Sequence, residues 1–531
     1  RSGERRDLTE IYSAVRHAIE DVTRDRPLVL VFRAIEYAGP AFTNLLGYLE
    51  ETLTAPAIFV GVSDDPPSAT DREEDLRLAE DLSMTTVART NPELIGAHLE
   101  RAGVGMEGEN ARDLRERAAG WFVAGGAAAL NRSDMPTAAE LLTRAADLLP
   151  KGNATRMNSL ALACEALVDI GRVDALIETA RAAIAEAREN ADDCWAARFR
   201  VWQLMVDDAI APNEPPVAEL EHLAGIFLRC SDDHGSAQVG EALAHIAWIT
   251  EDAAAALSSM RTGLDAALRA AARTLLTRMT VSYLSILTAG PTPVREAIEL
   301  SRDAERAATT SALVEVSLKG HLALLHALDD DTLTASRLVK EASAIQEDLG
   351  QPPWVARIPR VAGWIELIGG DPVAAERAAR PQLDELLELH HPAGIDAGLI
   401  LARALCAQER YEDASSVAER CRRALAAPAP TEAPEISGGE IAGILALAYA
   451  GAGRTDDARR ELAEADAEPP PAPRLLQRAD LWTDTAAACD AFDDPSEAAR
   501  RWDEAERLYR TKGALVPARR VDSIRRRRAT H

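Results

Sequence analysis

A helix face carrying alanine, a larger residue four positions on and a small residue three beyond that recurs through most of this 531-residue chain. It stands at Ala138/Leu142/Ala145, Ala175/Thr179/Ala182, Ala297/Ser301/Ala304, Ala335/Val339/Ala342 and Ala374/Ala378. It returns at Ala414/Ala418/Cys421, Ala458/Leu462/Ala465 and Ala498/Trp502/Ala505, with weaker copies at Ala218/His222/Gly225 and Ala254/Ser258/Arg261. The nine steps from Ala138 to Ala498 average about 40 residues, a period that signals stacked helical hairpins. Positions i, i+4 and i+7 share one helical face. Alanine there lets a partner helix come close, and the larger residue fills the groove beside it. One hairpin cannot bury both of its faces, so each unit needs neighbours. Breakers fall between the copies: Pro150, Gly152, Gly171, the stretch 212–216, Gly290-Pro291, Gly369-Gly370, 451–453 and 469–473.

Two copies show the pattern in full. Residues 119–150, AGWFVAGGAAALNRSDMPTAAELLTRAADLLP, place Gly126 at the helix A contact, Ala138 at the opening of helix B and Pro150 at its end. Residues 441–470, IAGILALAYAGAGRTDDARRELAEADAEPP, repeat it with Ala446, Tyr449, Ala458, Leu462, Ala465 and Pro470. Both resemble tetratricopeptide repeats, although the mean spacing exceeds that family's 34 residues. The resemblance implies a mainly α fold, an α-solenoid of about ten hairpins over residues 93–531. The packing positions are Gly126, Ala138, Leu142, Ala145, Ala175, Ala297, Ala414, Tyr449, Ala458, Leu462, Ala498 and Trp502.

The first 92 residues read differently. Two apolar runs, LVLVF at 28–32 and AIFVGV at 57–62, flank an amphipathic stretch from Ala41 to Leu53, the pattern of a parallel strand–helix–strand unit. The segment RPLVLVFRAIEYAGPAFTNLLGYLEE resembles the Walker B region of signalling ATPases of the STAND type, which precede helical repeats in large bacterial regulators. The resemblance implies a partial α/β segment, residues 1–92, left from a P-loop domain. In that family two acidic residues follow the strand and hold magnesium. Here the positions are Arg33 and Ala34, with Glu36 nearby, and no GxxxxGK[ST] loop occurs in the chain. Three readings stay open: a P-loop lying upstream, a degenerate ATPase with a degenerate Walker B kept as a structural platform, or a strand–helix–strand unit unrelated to nucleotides. Hydrolysis is not expected, while nucleotide binding without turnover stays open.

The layout also resembles the C-terminal parts of regulators that join an adenylate or guanylate cyclase, or a LuxR-type DNA-binding domain, to a STAND ATPase and tetratricopeptide repeats. The likeness is sharpest at 95–150 and 474–520. Only about 30 residues separate Val62 from Asn91, whereas that family places a winged-helix region of well over a hundred residues there. The start on Arg1 is consistent with a P-loop lying upstream, and an end just after the last repeat fits the cyclase-linked branch better than the LuxR branch. What this implies is a non-catalytic interaction and sensing module whose partner is a protein, a peptide or a small effector. The alternatives are the regulatory half of a larger cyclase or NTPase, and a fragment of a LuxR-type transcriptional regulator.

Charge and composition restrict the partner further. With 86 acidic against 59 basic residues the net charge is −27, which repels phosphate backbones and anionic lipid, so neither nucleic acid nor membrane is expected. Arg519, Arg520 and Arg525 to Arg528 form a basic end, read as a solvated helix terminus that favours its own dipole, the alternative being a local contact with an acidic partner or phosphate. Six scattered cysteines, Cys164, Cys194, Cys230, Cys406, Cys421 and Cys489, form no CxxC pair and read as buried reduced thiols of a cytoplasmic protein. His390-His391, before Pro392 and near Glu385 and Glu388, reads as a helix end and not a metal site. His98, His222, His234, His245, His321 and His326 are lone, and Trp354, Trp364 and Trp482 read as repeat core. No catalytic residue, metal or cofactor is assigned. Oligomeric state stays open.

Overall fold

The computed structural model describes residues 15, 16, 19, 28–33, 40–52, 57–62, 69–132, 134–206, 215–308, 312–348, 357–388, 393–426 and 436–528. The chain divides into two compact units, residues 1–235 and 236–531.

In the first unit β1 (Leu28–Arg33) and β2 (Ala57–Val62) pair in parallel, Leu28 opposite Ala57 and Arg33 opposite Val62, with α1 (Pro40–Thr52) between them. The strand–helix–strand expectation therefore holds for the backbone. A P-loop ancestry does not gain support: among the described residues the sheet has two strands. Of the degenerate Walker B positions, Arg33 ends β1, while Ala34 and Glu36 lie outside the described residues. α2 (Ala69–Ser83), α3 (Val87–Thr90) and α4 (Pro92–Ala102) lead into three hairpins. These are α5 (Glu109–Asn131) with α6 (Met135–Leu148), α7 (Ala154–Asp169) with α8 (Val173–Glu189), and α9 (Asp193–Val206) with α10 (Val217–Cys230). α1 packs on α6, where Asn44 Nδ2 donates to Thr137 Oγ1 at 3.1 Å.

α11 (Asp233–Ile249) crosses into the second unit and pairs with α12 (Ala253–Arg269), the backbones meeting closely at Gly240 and Gly263. α13 (Arg273–Ala289) pairs with a helix broken at Ser301 into α14 (Val294–Leu300) and α15 (Arg302–Ala308). Then come α16 (Ala312–Leu328) with α17 (Thr332–Asp348), α18 (Ile358–Gly369) with α19 (Pro372–Glu388), and α20 (Ala393–Ala407) with α21 (Tyr411–Ala426). α22 (Gly438–Gly451) with α23 (Thr455–Ala467) and α24 (Leu475–Ala491) with α25 (Pro495–Lys512) complete the hairpins, and α26 (Leu515–Arg528) follows. Within this unit the first helices of successive hairpins also touch one another: α13, α16, α18, α20, α22 and α24 form one layer, and the second helices the other. The array is a tetratricopeptide-like α-solenoid.

Every alanine copy of the sequence lies in a second helix of a hairpin, but the register varies. Ala138, Ala297, Ala335, Ala414, Ala458 and Ala498 are fully buried. In α8 the buried face begins one residue later than Ala175, at Leu176, Ala180 and Ala183, and Ala175 packs at its edge. α19 is likewise shifted to Ala375, Ala379 and Leu383. Ala218 and Ala254 are exposed, and the buried faces start two residues on, at Leu220 and at Ala256/Met260/Gly263. In helices so rich in alanine, small residues stand on adjacent faces, so spacing alone does not fix which one faces inward.

Ion pairs repeat with the hairpins. Arg198–Asp232, Arg278–Glu241, Arg295–Asp329, Arg410–Glu376 and Arg501–Asp466 are separated by 34, 37, 34, 34 and 35 residues. The turns repeat too, as an αL residue followed by an aspartate cap: Asp252 accepts from Ala255 N, and Asp494 from Glu497 N. At Gly126 a Cβ would stand 2.6 Å from Leu142 Cγ. Gly126→Val should therefore cost about 1–3 kcal/mol by overpacking, read as a lower urea midpoint. Gly120→Val, where nothing lies within 4 Å, serves as the control and should lose much less.

One cysteine expectation is corrected. Cys194 at the start of α9 and Cys230 at the end of α10 form a disulfide with Cα atoms 6.4 Å apart. Antiparallel pairing of those two helices brings opposite ends of the segment together, which a separation of 36 residues conceals. Cys164, Cys406, Cys421 and Cys489 are buried free thiols, and burial pushes each thiol up, away from thiolate reactivity. No helix among the described residues is long and apolar enough to cross a membrane.

Candidate functional site

The first-helix layer of the second unit is apolar in most places, as its role as packing surface requires. α22, for example, buries Ile441, Ile444, Leu445 and Ala448. Along one strip, however, each helix carries polar or charged groups. α18 brings Arg360 and Trp364, α20 brings Asp396 and Arg403, α22 brings Glu440, and α24 brings Asp480 and Asp484. The i+4 and i+7 spacings of these pairs put each on one face of its helix.

Arg403 is the centre. Its Nε donates to Asp484 Oδ2 at 2.9 Å, and Asp480 Oδ2 lies 3.6 Å from Nη1. Its guanidinium lies over the Trp364 ring, 5.2 Å from the centroid, where the ring face attracts a cation. Trp364 Nε1 donates to Asp396 Oδ1 at 3.0 Å, and Arg360 Nε stands 3.5 Å from Asp396 Oδ2. The Tyr509 hydroxyl on α25 donates to Asp480 Oδ1 at 2.5 Å. Arg403 on α20 thus reaches α24 past the intervening α22. Side chains two hairpins apart can meet only if the first-helix layer is the inner, concave side of the curve.

The strip is dry enough to change how its acids hold protons. Burial pushes Glu440 up to about 7, against the pull of its hydrogen bond from Ser437 and of Arg403. Burial likewise pushes Asp484 up to about 6, against Arg403. Burial opposes the charge on Arg403, but Asp484 and Asp480 keep it fully protonated. One of its nitrogens, Nη2, is buried without a hydrogen-bond partner although the side chain is only 10% exposed. A buried unpaired guanidinium N–H is costly unless something completes it. Further along the layer, burial and Arg357 hold His321 well below its usual range. It is therefore neutral, with Nε2 accepting from Arg357 at 2.8 Å and Nδ1 meeting Thr288 Oγ1 at 2.9 Å.

Glu440 also sets a pH dependence. A carboxyl whose folded pKa lies above its unfolded value holds a proton longer in the folded state. Its contribution is complete below about 4.5 and is lost as pH rises through about 7. Glu440→Gln keeps an oxygen for the Ser437 N–H at the cap. The variant should flatten the fall in stability between pH 5 and 8 and gain roughly 2–3 kcal/mol at pH 8, measured as urea midpoints at the two pH values.

The residues singled out in the sequence lie as follows. In the first unit Ala138 and Leu142 lie in one core, with Gly126 against Leu142, and Ala145 lies in another; in the second, Ala414, Tyr449 and Ala458 share a core. Trp502 and Ala498 lie in another cluster of the second unit, and Leu462 is half-buried against it. Tyr449 adds a hydrogen bond to Glu419 at 2.8 Å. Trp364 and Trp482 are half-buried at the edges of cores, each with arginine guanidinium over its ring. His98 pairs with Asp75 and His234 with Glu165. His390, His391 and Trp354 lie outside the described residues. Among the described residues no group of three or more His, Cys, Asp or Glu could hold a metal ion. The signal that sequence reasoning passed over was a charge inside an apolar run, as at Arg403 in LILARALCA.

No known family model matches the chain, and no curated protein does. Several solved structures are similar to it at low identity. A Rap protein complexed with Competence and Sporulation Factor matches at TM-score 0.47 and 11% identity, covering 68% of this chain and 99% of that one. A STAND protein with a tetratricopeptide repeat sensor from Pyrococcus horikoshii matches at TM-score 0.30 and 12% identity, covering 95% and 83%. The Cut9–Hcn1 assembly of the APC/C matches at TM-score 0.33 and 13% identity, covering 86% and 97%.

Proposed function

We propose that this chain is a non-catalytic protein-interaction and sensing module, and that the inner face of its second unit takes a peptide segment of a partner. The observation that carries this reading is Arg403: a nine-tenths buried guanidinium with a spare N–H, seated on Trp364 in a polar strip of a layer that otherwise packs as a core. A peptide carbonyl is a suitable acceptor for that N–H, and it adds no further charge to a strip already holding Asp396, Asp480 and Asp484. We place the module in a bacterial signalling regulator in the cytoplasm, binding neither nucleic acid nor membrane. The Cys194–Cys230 disulfide is the one observation that pulls against that compartment.

A peptide library selected on the whole chain tests the reading. Enriched sequences should lose at least tenfold in affinity on Trp364→Ala and on Arg403→Met. Failure to enrich any sequence, or binding indifferent to both changes, would overturn it. A second reading, the regulatory half of a larger cyclase or STAND NTPase, draws on the parallel β1–α1–β2 segment packed on α6. We treat residues 1–92 as that separate segment. With Arg33 where a magnesium-binding carboxylate belongs, no hydrolysis of Mg·ATP above background is expected from this chain.

A further inference from the structure

The second unit ends by folding back on its own inner layer. Lys512, the last residue of α25, is fully buried, and its ammonium donates to the carbonyls of Leu287, Gly290 and Thr292 at 2.7, 2.8 and 2.7 Å. The next residue, Gly513, has φ +75, a left-handed joint that glycine adopts without steric cost. Beyond it α26 packs on α16 and α18, two inner-layer helices far earlier in the chain, as well as on α25.

The hold on α26 differs in kind from the hold on Lys512. Of its fourteen residues only Pro517, Ala518 and Val521 are buried, three small side chains on one stripe. Its polar ties are mostly at the surface. Arg519 pairs with Asp330 at 2.6 Å, both groups more than half exposed, and the exposed Arg520 donates to the Leu367 carbonyl at 2.8 Å. Arg525 pairs with Asp503 and Glu506 of α25, and Arg528 with Asp490. Such pairs add little individually. The surface beneath matches in charge: Asp330 lies in an Asp329–Asp331 run at the α16–α17 turn, and Leu367 offers a carbonyl from the last turn of α18, its negative dipole end. Arg520 is also near enough to act on Asp484 and Tyr509, so α26 borders the strip around Arg403.

We propose that the inner face over α16 and α18 is a docking surface for a short arginine-rich helix with a narrow stripe of small apolar side chains, and that α26 is its resident occupant. Lys512 fixes one end of a hinge at Gly513, and a partner helix of the same chemistry takes the place of α26 and uncovers the strip beside it. The inference rests on the inner face being a binding face, but it concerns a different part of that face and a different occupant.

The test uses the whole chain and a labelled synthetic peptide of residues 514–531. Val521→Asp places a charge under the apolar stripe, and Arg520→Glu reverses the contact at Leu367. In each variant the amides of α26 should exchange with deuterium at least tenfold faster while those of α24 and α25 keep their protection. Each released chain should bind the peptide at least tenfold tighter than the unchanged chain does, and a scrambled peptide of equal composition should not bind. If α26 keeps its protection in both variants, or if the released chains bind the two peptides alike, the inference falls. Peptides selected on the Arg403 strip would still bind in that event, which separates this failure from failure of the proposed function.

Discussion

Replacing Lys512 with methionine should destabilise the second unit by about 3–5 kcal/mol, one of the two largest losses expected, because three buried carbonyls lose their donor at once. The ammonium uses all three of its donors on three carbonyls at the end of α13 and in the turn that follows. Methionine keeps the aliphatic length but leaves those carbonyls facing an apolar group. Each buried acceptor without a donor carries a desolvation penalty of about 1–3 kcal/mol. Burial pushes the Lys512 amine down to about 7. A group whose folded pKa lies below its unfolded value disfavours the folded state while charged, so that burden is lifted as pH rises from about 7 toward 10.5. Urea unfolding of the variant against the unchanged chain at pH 7 measures the loss. A change under 1 kcal/mol would mean that the two ends of the unit are held by apolar packing alone.

The second large effect is expected at Arg403. Arg403→Ala leaves Asp484 buried without its cation and removes the group lying over Trp364. Breaking a buried pair in this way costs about 3–5 kcal/mol. The cost should depend on pH in a definite sense. Asp484 is already pushed up to about 6 and Glu440 to about 7, and loss of the cation moves both further up. At pH 5 both carboxyls take up protons and the variant should approach the unchanged chain; at pH 8 the full loss should appear. Adding Asp484→Asn to Arg403→Ala should recover a good part of the loss at pH 8, since the uncompensated charge is then gone. Urea midpoints of the four chains at the two pH values form the cycle. A loss equal at both pH values would show that packing against Trp364, not charge, is what Arg403 contributes.

The repeat itself was readable because it depends on local chemistry. Alanine, a bulky residue and a small one at i, i+4 and i+7 mark a closely packed helix wherever they occur, and the breakers between them mark the turns. The register at Ala175, Ala218, Ala254 and Ala374 was less readable, since neighbouring alanines make adjacent faces look alike and only the partner helix decides between them. The Cys194–Cys230 bond depends on which ends of α9 and α10 coincide, which the hairpin geometry settles and the spacing does not. The strip around Arg403 was hidden for a stronger reason. Its members come from α18, α20, α22, α24 and α25, and Arg403 reaches Asp484 across 81 residues. That meeting follows from curvature, a property of the stacked array, whereas a single helix shows only one charge in an apolar run. Lys512 is the extreme case, with its acceptors more than 200 residues away.

Hydrogen–deuterium exchange on the whole chain, with and without a peptide selected from a library, tests the inner-face site most directly. New protection is expected along α18, α20, α22 and α24, centred on Trp364, Arg403 and Asp484, with the outer helices α19, α21 and α23 unchanged. Protection confined to those outer helices, or to residues 1–235, would contradict it.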